Sequence, residues 1–134
     1  HLVQGAFVNQ PVPATGGTNS GSTLQIDLSK GNYHNITLND HVGAIEFQNA
    51  TIGQKFIIRF TQESTARTVF DTGSFAARIN GSVAAELKWA GNVVPTMSTS
   101  DGHKDVYGFL CTATGSNAND TKFDGFIIGQ DIPN

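Results

Sequence analysis

From Thr23 onward the chain is broken by turn residues so often that only short extended segments fit between the breaks. "TLQIDL" places Leu24, Ile26 and Leu28 on one face, and "KGN" makes a turn. "HNITL" then places Ile36 and Leu38 on one face, "NDH" turns again, and "AIEFQ" offers Ile45 and Phe47. "QKFIIRFT" offers Phe56, Ile58 and Phe60, with Arg59 opposite. Alternate residues of a strand share a face, so this period of two predicts half-buried strands. Strands and turns in such quick succession predict an all-β fold, an antiparallel β-sandwich of jelly-roll-like order.

The second half continues the pattern with one interruption. "RTVFD" predicts a short strand centred on Val69. Residues 71–86 read as an excursion with a hairpin tip at Asn80-Gly81, the dipeptide of tight two-residue turns, with a helical turn at the flanking Ala pairs as the alternative. "LKW" predicts a strand that buries Leu87 and Trp89. "KDVYGFLCTA" has apolar residues on both faces, which suits a central strand or a subunit contact. "KFDGFIIG" is the last strand. The expected structural core includes Phe56, Ile58, Phe60, Trp89, Val106 and Leu110. Residues 1–22 differ: apart from His1 they carry no acidic or basic residue, and Pro-Val-Pro excludes a helix. They read as an extended arm or linker, with residues 23–134 as the sandwich domain. Phe7 and Val8 favour an arm that docks on a neighbour.

Composition narrows the function classes. The 134 residues suit one domain with a sizeable core. Charged residues make up 14% and the formal net charge is −3. The eight Lys and Arg are scattered, so no nucleic-acid partner is expected. No apolar run approaches a membrane span, and no membrane insertion is expected. The chain opens on His1 rather than Met, without a visible signal peptide, so a processed or incompletely represented N-terminus is expected. A single cysteine, Cys111, allows no internal disulfide and reads as a buried structural thiol. The sequons at Asn35, Asn49, Asn80 and Asn119 read as turn-rich composition rather than glycan acceptors. No phosphate loop, nucleophile elbow or Cys-His spacing occurs, so neither an enzyme nor a cofactor is expected.

Asp101, His103 and Asp105 fall at every second position. On a continuous strand that spacing puts two carboxylates and an imidazole on one face, a possible metal-ligand set. Asp101-Gly102 is, however, a turn dipeptide and breaks the extended geometry. The expected role of Asp105 is structural, accepting hydrogen bonds from loop amides where a strand begins.

An ordered set of short motifs adds a resemblance. Gly53-Gln54 leads an apolar strand that ends in Thr61-Gln62, and Arg67-Thr68-Val69 follows. Lys88-Trp89-Ala90-Gly91, then Pro95-Thr96-Met97-Ser98-Thr99, then Asp105-Val106 complete the set. This order, from about Ser22 to Gly129, resembles a β-rich domain of tailed-bacteriophage virion proteins, the C-terminal module of tail fibre, collar or capsid decoration proteins. Between Val69 and Lys88 the chain is longer than that pattern, and "QESTAR" lacks the Gly that often sits in that turn.

The resemblance implies a non-enzymatic virion structural protein, a fibre-tip or capsid decoration module with receptor binding as a possible role. It also implies a homotrimer, contact with other virion proteins through the N-terminal arm, and assembly in the host cytoplasm. A carbohydrate-binding module or lectin is the alternative, and a fibre tip that binds a host cell-surface glycan is both. A glycosidase-type hydrolase is disfavoured, because it needs two carboxyl groups held apart in a rigid cleft. The exposed loops expected to meet a ligand include Asn39, Asp40, His41, Ser74, Asn80 and Asn117.

Overall fold

A computed structural model describes residues 7–11, 22–71 and 75–134. Among the described residues ten strands form the sheets: β1 (Phe7–Pro11), β2 (Ser22–Asp27), β3 (Tyr33–Leu38), β4 (Val42–Gln48), β5 (Lys55–Gln62), β6 (Ala76–Ile79), β7 (Val83–Ala84), β8 (Glu86–Trp89), β9 (Lys104–Ala113) and β10 (Lys122–Ile132). Among the described residues the only helical element is the 3-10 turn Ala90–Asn92. The strands form a six-stranded sheet, β1-β3-β5-β9-β10-β8, and a four-stranded sheet, β2-β4-β6-β7.

The all-β expectation agrees with this architecture, but the antiparallel, jelly-roll-like order does not. Five of the eight pairings among the described residues are parallel: β1 with β3, β3 with β5, β2 with β4, β4 with β6, and β8 with β10. From β1 to β6 the chain changes sheet at every connection. One corner carries it to the other sheet, and the next returns it beside its earlier position, running the same way. Only β5–β9, β9–β10 and β6–β7 pair antiparallel.

The corners are held by specific bonds. The Leu28 amide donates to the Gln48 carbonyl at 2.9 Å, and the Ile57 amide to the Asn32 carbonyl at 2.8 Å. At the corner after β2, Asp27 accepts from the Ser29 hydroxyl at 2.6 Å and the Asn49 amide at 2.9 Å. These bonds hold its carboxyl below the usual carboxylate range, the Ser29 hydroxyl most of all.

Both sheets feed one core. Leu24 and Ile26 of β2 stand in register with Ile45 and Phe47 of β4. From the other sheet come Phe56, Ile58 and Phe60, in register with Phe109, Tyr107 and Asp105. Aromatic rings bridge the layers: Phe47 lies 4.4 Å from Phe123 and 5.7 Å from Phe56, centre to centre. Such tilted and edge-to-face pairs add to the stabilisation from burial.

The expected core is corrected at β9. Phe56, Ile58 and Phe60 are buried, and Trp89 is half-buried against the core. Val106 and Leu110 are instead half-buried on the outer face of the sheet. The inner face of β9 carries Asp105, Tyr107, Phe109 and Cys111. Both alternating sets of "DVYGFLC" are rich in apolar residues, so alternation alone does not choose between them. "RTVFD" is not a strand, although Val69 and Phe70 are buried. The excursion adds β6 to the four-stranded sheet beside β4. Its tip is a hairpin with Asn80 and Gly81 at φ 47° and 83°.

Candidate functional site

Strand directions decide which loops share an end of the molecule. β3 and β5 run parallel and β9 runs against them. One end therefore gathers residues 39–41, the segment after β5 and the approach to β9. The opposite end gathers the corner before β5, the β6–β7 hairpin and the β9–β10 loop. The expected ligand loops thus divide: Asn39, Asp40 and His41 lie at the first end, and Asn80 and Asn117 at the second. Ser74 lies outside the described residues.

At the first end, polar side chains hold loops rather than face solvent. Gln62 is buried and donates to the carbonyls of Arg67 and Ser98 at 2.7 and 2.8 Å. Its side-chain carbonyl accepts from the Arg67 amide at 3.0 Å. Asp105 is buried and accepts from the amides of Ser98 (2.8 Å) and Asp131 (2.9 Å) and from the Tyr107 hydroxyl (3.0 Å). Burial, with the Asp105 charge second, pushes the Tyr107 phenol far above its ordinary value, so it stays a donor. At the opposite end Gln54 is buried and donates to the Leu28 carbonyl at 2.9 Å.

Asp101, His103 and Asp105 are not brought together. Asp105 points inward, His103 Nδ1 lies 2.7 Å from Asp131, and Asp101 is exposed in the turn. No group of three or more His, Cys, Asp or Glu among the described residues is arranged to hold a metal ion. His41 Nδ1 accepts from the Thr68 amide at 3.1 Å and lies 3.1 Å from the Thr68 hydroxyl. That bond makes Nδ1 the acceptor, so the neutral ring carries its proton on Nε2. Burial raises the Cys111 thiol, which leaves it protonated and unreactive at neutral pH.

Two surface features stand out, the first not singled out from the sequence and the second foreshadowed by the two-faced apolar strand β9. The first is a groove where the loop after β5 meets β6, β8 and the segment before β9. Its two hollows, about 370 and 320 Å³, share Phe70, Asp71 and Val94. Arg67 and Met97 complete one, and Phe75 and Trp89 the other. Phe70 ties them together, with ring centres 4.8 Å from Trp89 and 5.1 Å from Phe75. An apolar floor with one guanidinium and one carboxylate can bind a small amphipathic ligand. The second feature is the outer face of the six-stranded sheet. A hollow of about 620 Å³ there is lined by Lys55, Ile57, Gly108, Leu110, Phe126 and Ile128, among others. Phe126 is 43% exposed and Ile128 56%, unusual for such large apolar side chains on a strand. "FII" in the last strand was the available signal, but it does not say which residues stay uncovered.

Comparison of the chain with protein-family models, curated proteins and solved structures finds no match.

Proposed function

We propose that this chain is a non-enzymatic structural module of a tailed-bacteriophage virion, a fibre tip or capsid decoration unit, built as a β-sandwich and assembled as a homotrimer. The observation that carries the reading is the use made of the motif residues. Gln54, Gln62 and Asp105 are all buried and all spent on bonds that fasten loops to the sheets. Polar residues used in this way suit a part that keeps its shape under load rather than one that turns over a substrate. On this reading the N-terminal arm, whose Phe7–Pro11 pairs with β3 at the edge of the six-stranded sheet, contacts other virion proteins, and the loops at either end are where a host cell-surface glycan would be met. The test is sedimentation together with binding to phage particles and to host cells. The expected result is a trimer that saturates particles or binds cells. A chain that is monomeric and binds neither overturns the proposal.

A carbohydrate-binding module is the second reading, favoured by the Phe70–Trp89 groove with Arg67 and Asp71 at its margin. A glycan-array signal that Arg67→Ala abolishes, without particle or cell binding, selects it.

A further inference from the structure

The outer face of the six-stranded sheet has a pattern running across the strands as well as along them. In one cross-strand row Lys55 of β5, Leu110 of β9 and Asp124 of β10 stand side by side. In the next row stand Ile57, Gly108 and Phe126. Across these three strands the first row runs from a cation to an anion, and β8 continues it with Lys88. The second runs from one apolar side chain to another with a glycine between them, and β3 continues it with Tyr33. Ile128 folds over that glycine, its Cδ1 only 3.0 Å from where a Cβ at position 108 would lie. Neither Lys55 nor Asp124 joins an ion pair among the described residues. Lys88 is in register with Asp124, but its ammonium lies 3.5 Å from Glu86.

We propose that this face is the surface through which copies of the chain assemble about an axis parallel to β9, with Lys55 of one copy meeting Asp124 of the next. The inference rests on the self-association in the proposed function and names its interface. Rotation about an axis along the strands preserves height along them. The β5 side of one copy therefore meets the β10 side of the next in the same row. Lys55 then faces Asp124, Ile57 faces Phe126, and Ile128 and Leu110 turn toward the axis. A twofold axis across the strands through the Ile57 row is disfavoured. It lays Lys55 against Arg59 of the other copy, two like charges in a closing interface. The occupant is thus a second copy in a cyclic arrangement, chosen by charge complementarity.

The experiment is sedimentation equilibrium on the full chain and on charge variants, with far-ultraviolet circular dichroism to confirm folding. Lys55→Glu and Asp124→Lys each set like charges together, and each is expected to weaken association at least tenfold. The double swap restores the pair and is expected to recover most of the loss. Phe126→Asp is expected to yield folded monomers. If the wild type associates and none of these variants changes its mass, the interface lies elsewhere and the inference falls, while the trimeric module stands. If the single swaps dissociate it but the double swap does not recover it, the Lys55–Asp124 pairing is wrong. Dimers that obey the swap pattern uphold the interface and remove the trimer. A wild type that is monomeric at all concentrations but binds phage particles overturns the inference and leaves the virion role.

Discussion

On the inner face of β9, Asp105, Tyr107, Phe109 and Cys111 are buried to within 2%. On its outer face Val106 and Leu110 are only half-buried, and Phe126 and Ile128 of the neighbouring β10 are exposed. Both faces are rich in apolar side chains and obey the same alternation, and what differs is the cover. The four-stranded sheet closes the inner face with Leu24, Ile26, Ile45 and Phe47, and no element among the described residues closes the outer one. Apolar character therefore marks where cover is needed, while topology decides where the chain itself supplies it.

The sharpest test of that contrast is deletion on each side of one strand. Phe109→Ala removes a ring stacked 5.2 Å from Phe56 in the closed core and should cost about 3–5 kcal/mol of unfolding free energy. Leu110→Ala, one residue along and half-buried, should cost well under half as much in the monomer. Urea denaturation of both variants reads the difference, and equal losses would erase the distinction between the faces.

Gly125 tests how tightly the inner face is closed. A Cβ there would lie 2.7 Å from Trp89 Cε3, so the indole must shift out of its contacts with Phe70, Tyr107 and Phe109. Overpacking of this kind costs about 1–3 kcal/mol. Gly125→Ala is expected to lower the melting temperature and alter the near-ultraviolet dichroism of the single Trp.

The strands themselves were legible because β2 to β5 alternate cleanly and their corners carry Gly, Asn and Asp. The pairing direction was not, because a turn that makes a hairpin and a corner that crosses between sheets use the same residues. The β9 core face was illegible for a related reason. Val106 and Leu110 are as apolar as Phe109, and only the opposing sheet decides which set is covered. The motif residues Gln54, Gln62 and Asp105 were visible as a pattern, but each has a partner 26 to 36 residues away, beyond any local rule. The groove at Phe70 was hidden because residues 66–71 bury apolar side chains without forming a strand.

Acid should weaken the inner face selectively. His34 is fully buried on β3, beside Ile58, with Nε2 2.9 Å from the Gly31 carbonyl and Nδ1 unpartnered. Burial lowers its pKa, while the Gly31 carbonyl and the Asp27 charge partly oppose the shift. The native state thus favours the neutral ring. The contribution is complete above the unfolded value of about 6.5 and is lost as pH falls below it. Urea midpoints should drop between pH 7.5 and pH 5, and His34→Gln should flatten that drop. An unchanged slope would show that His34 does not carry the acid response.

The smallest effect is expected on the outer face. Phe126 touches solvent over much of its ring, so Phe126→Ser in the dissociated monomer should change the unfolding free energy by no more than about 0.5 kcal/mol. The measurement belongs at concentrations low enough that the wild type is also dissociated, since association stabilises the fold by mass action. Raising the protein concentration should then separate the two proteins, with the wild-type melting temperature climbing and that of the variant staying flat. A core role for Phe126 predicts the opposite: a loss of several kcal/mol at every concentration. The concentration dependence, rather than the size of the loss, tells an uncovered sheet face from a closed one.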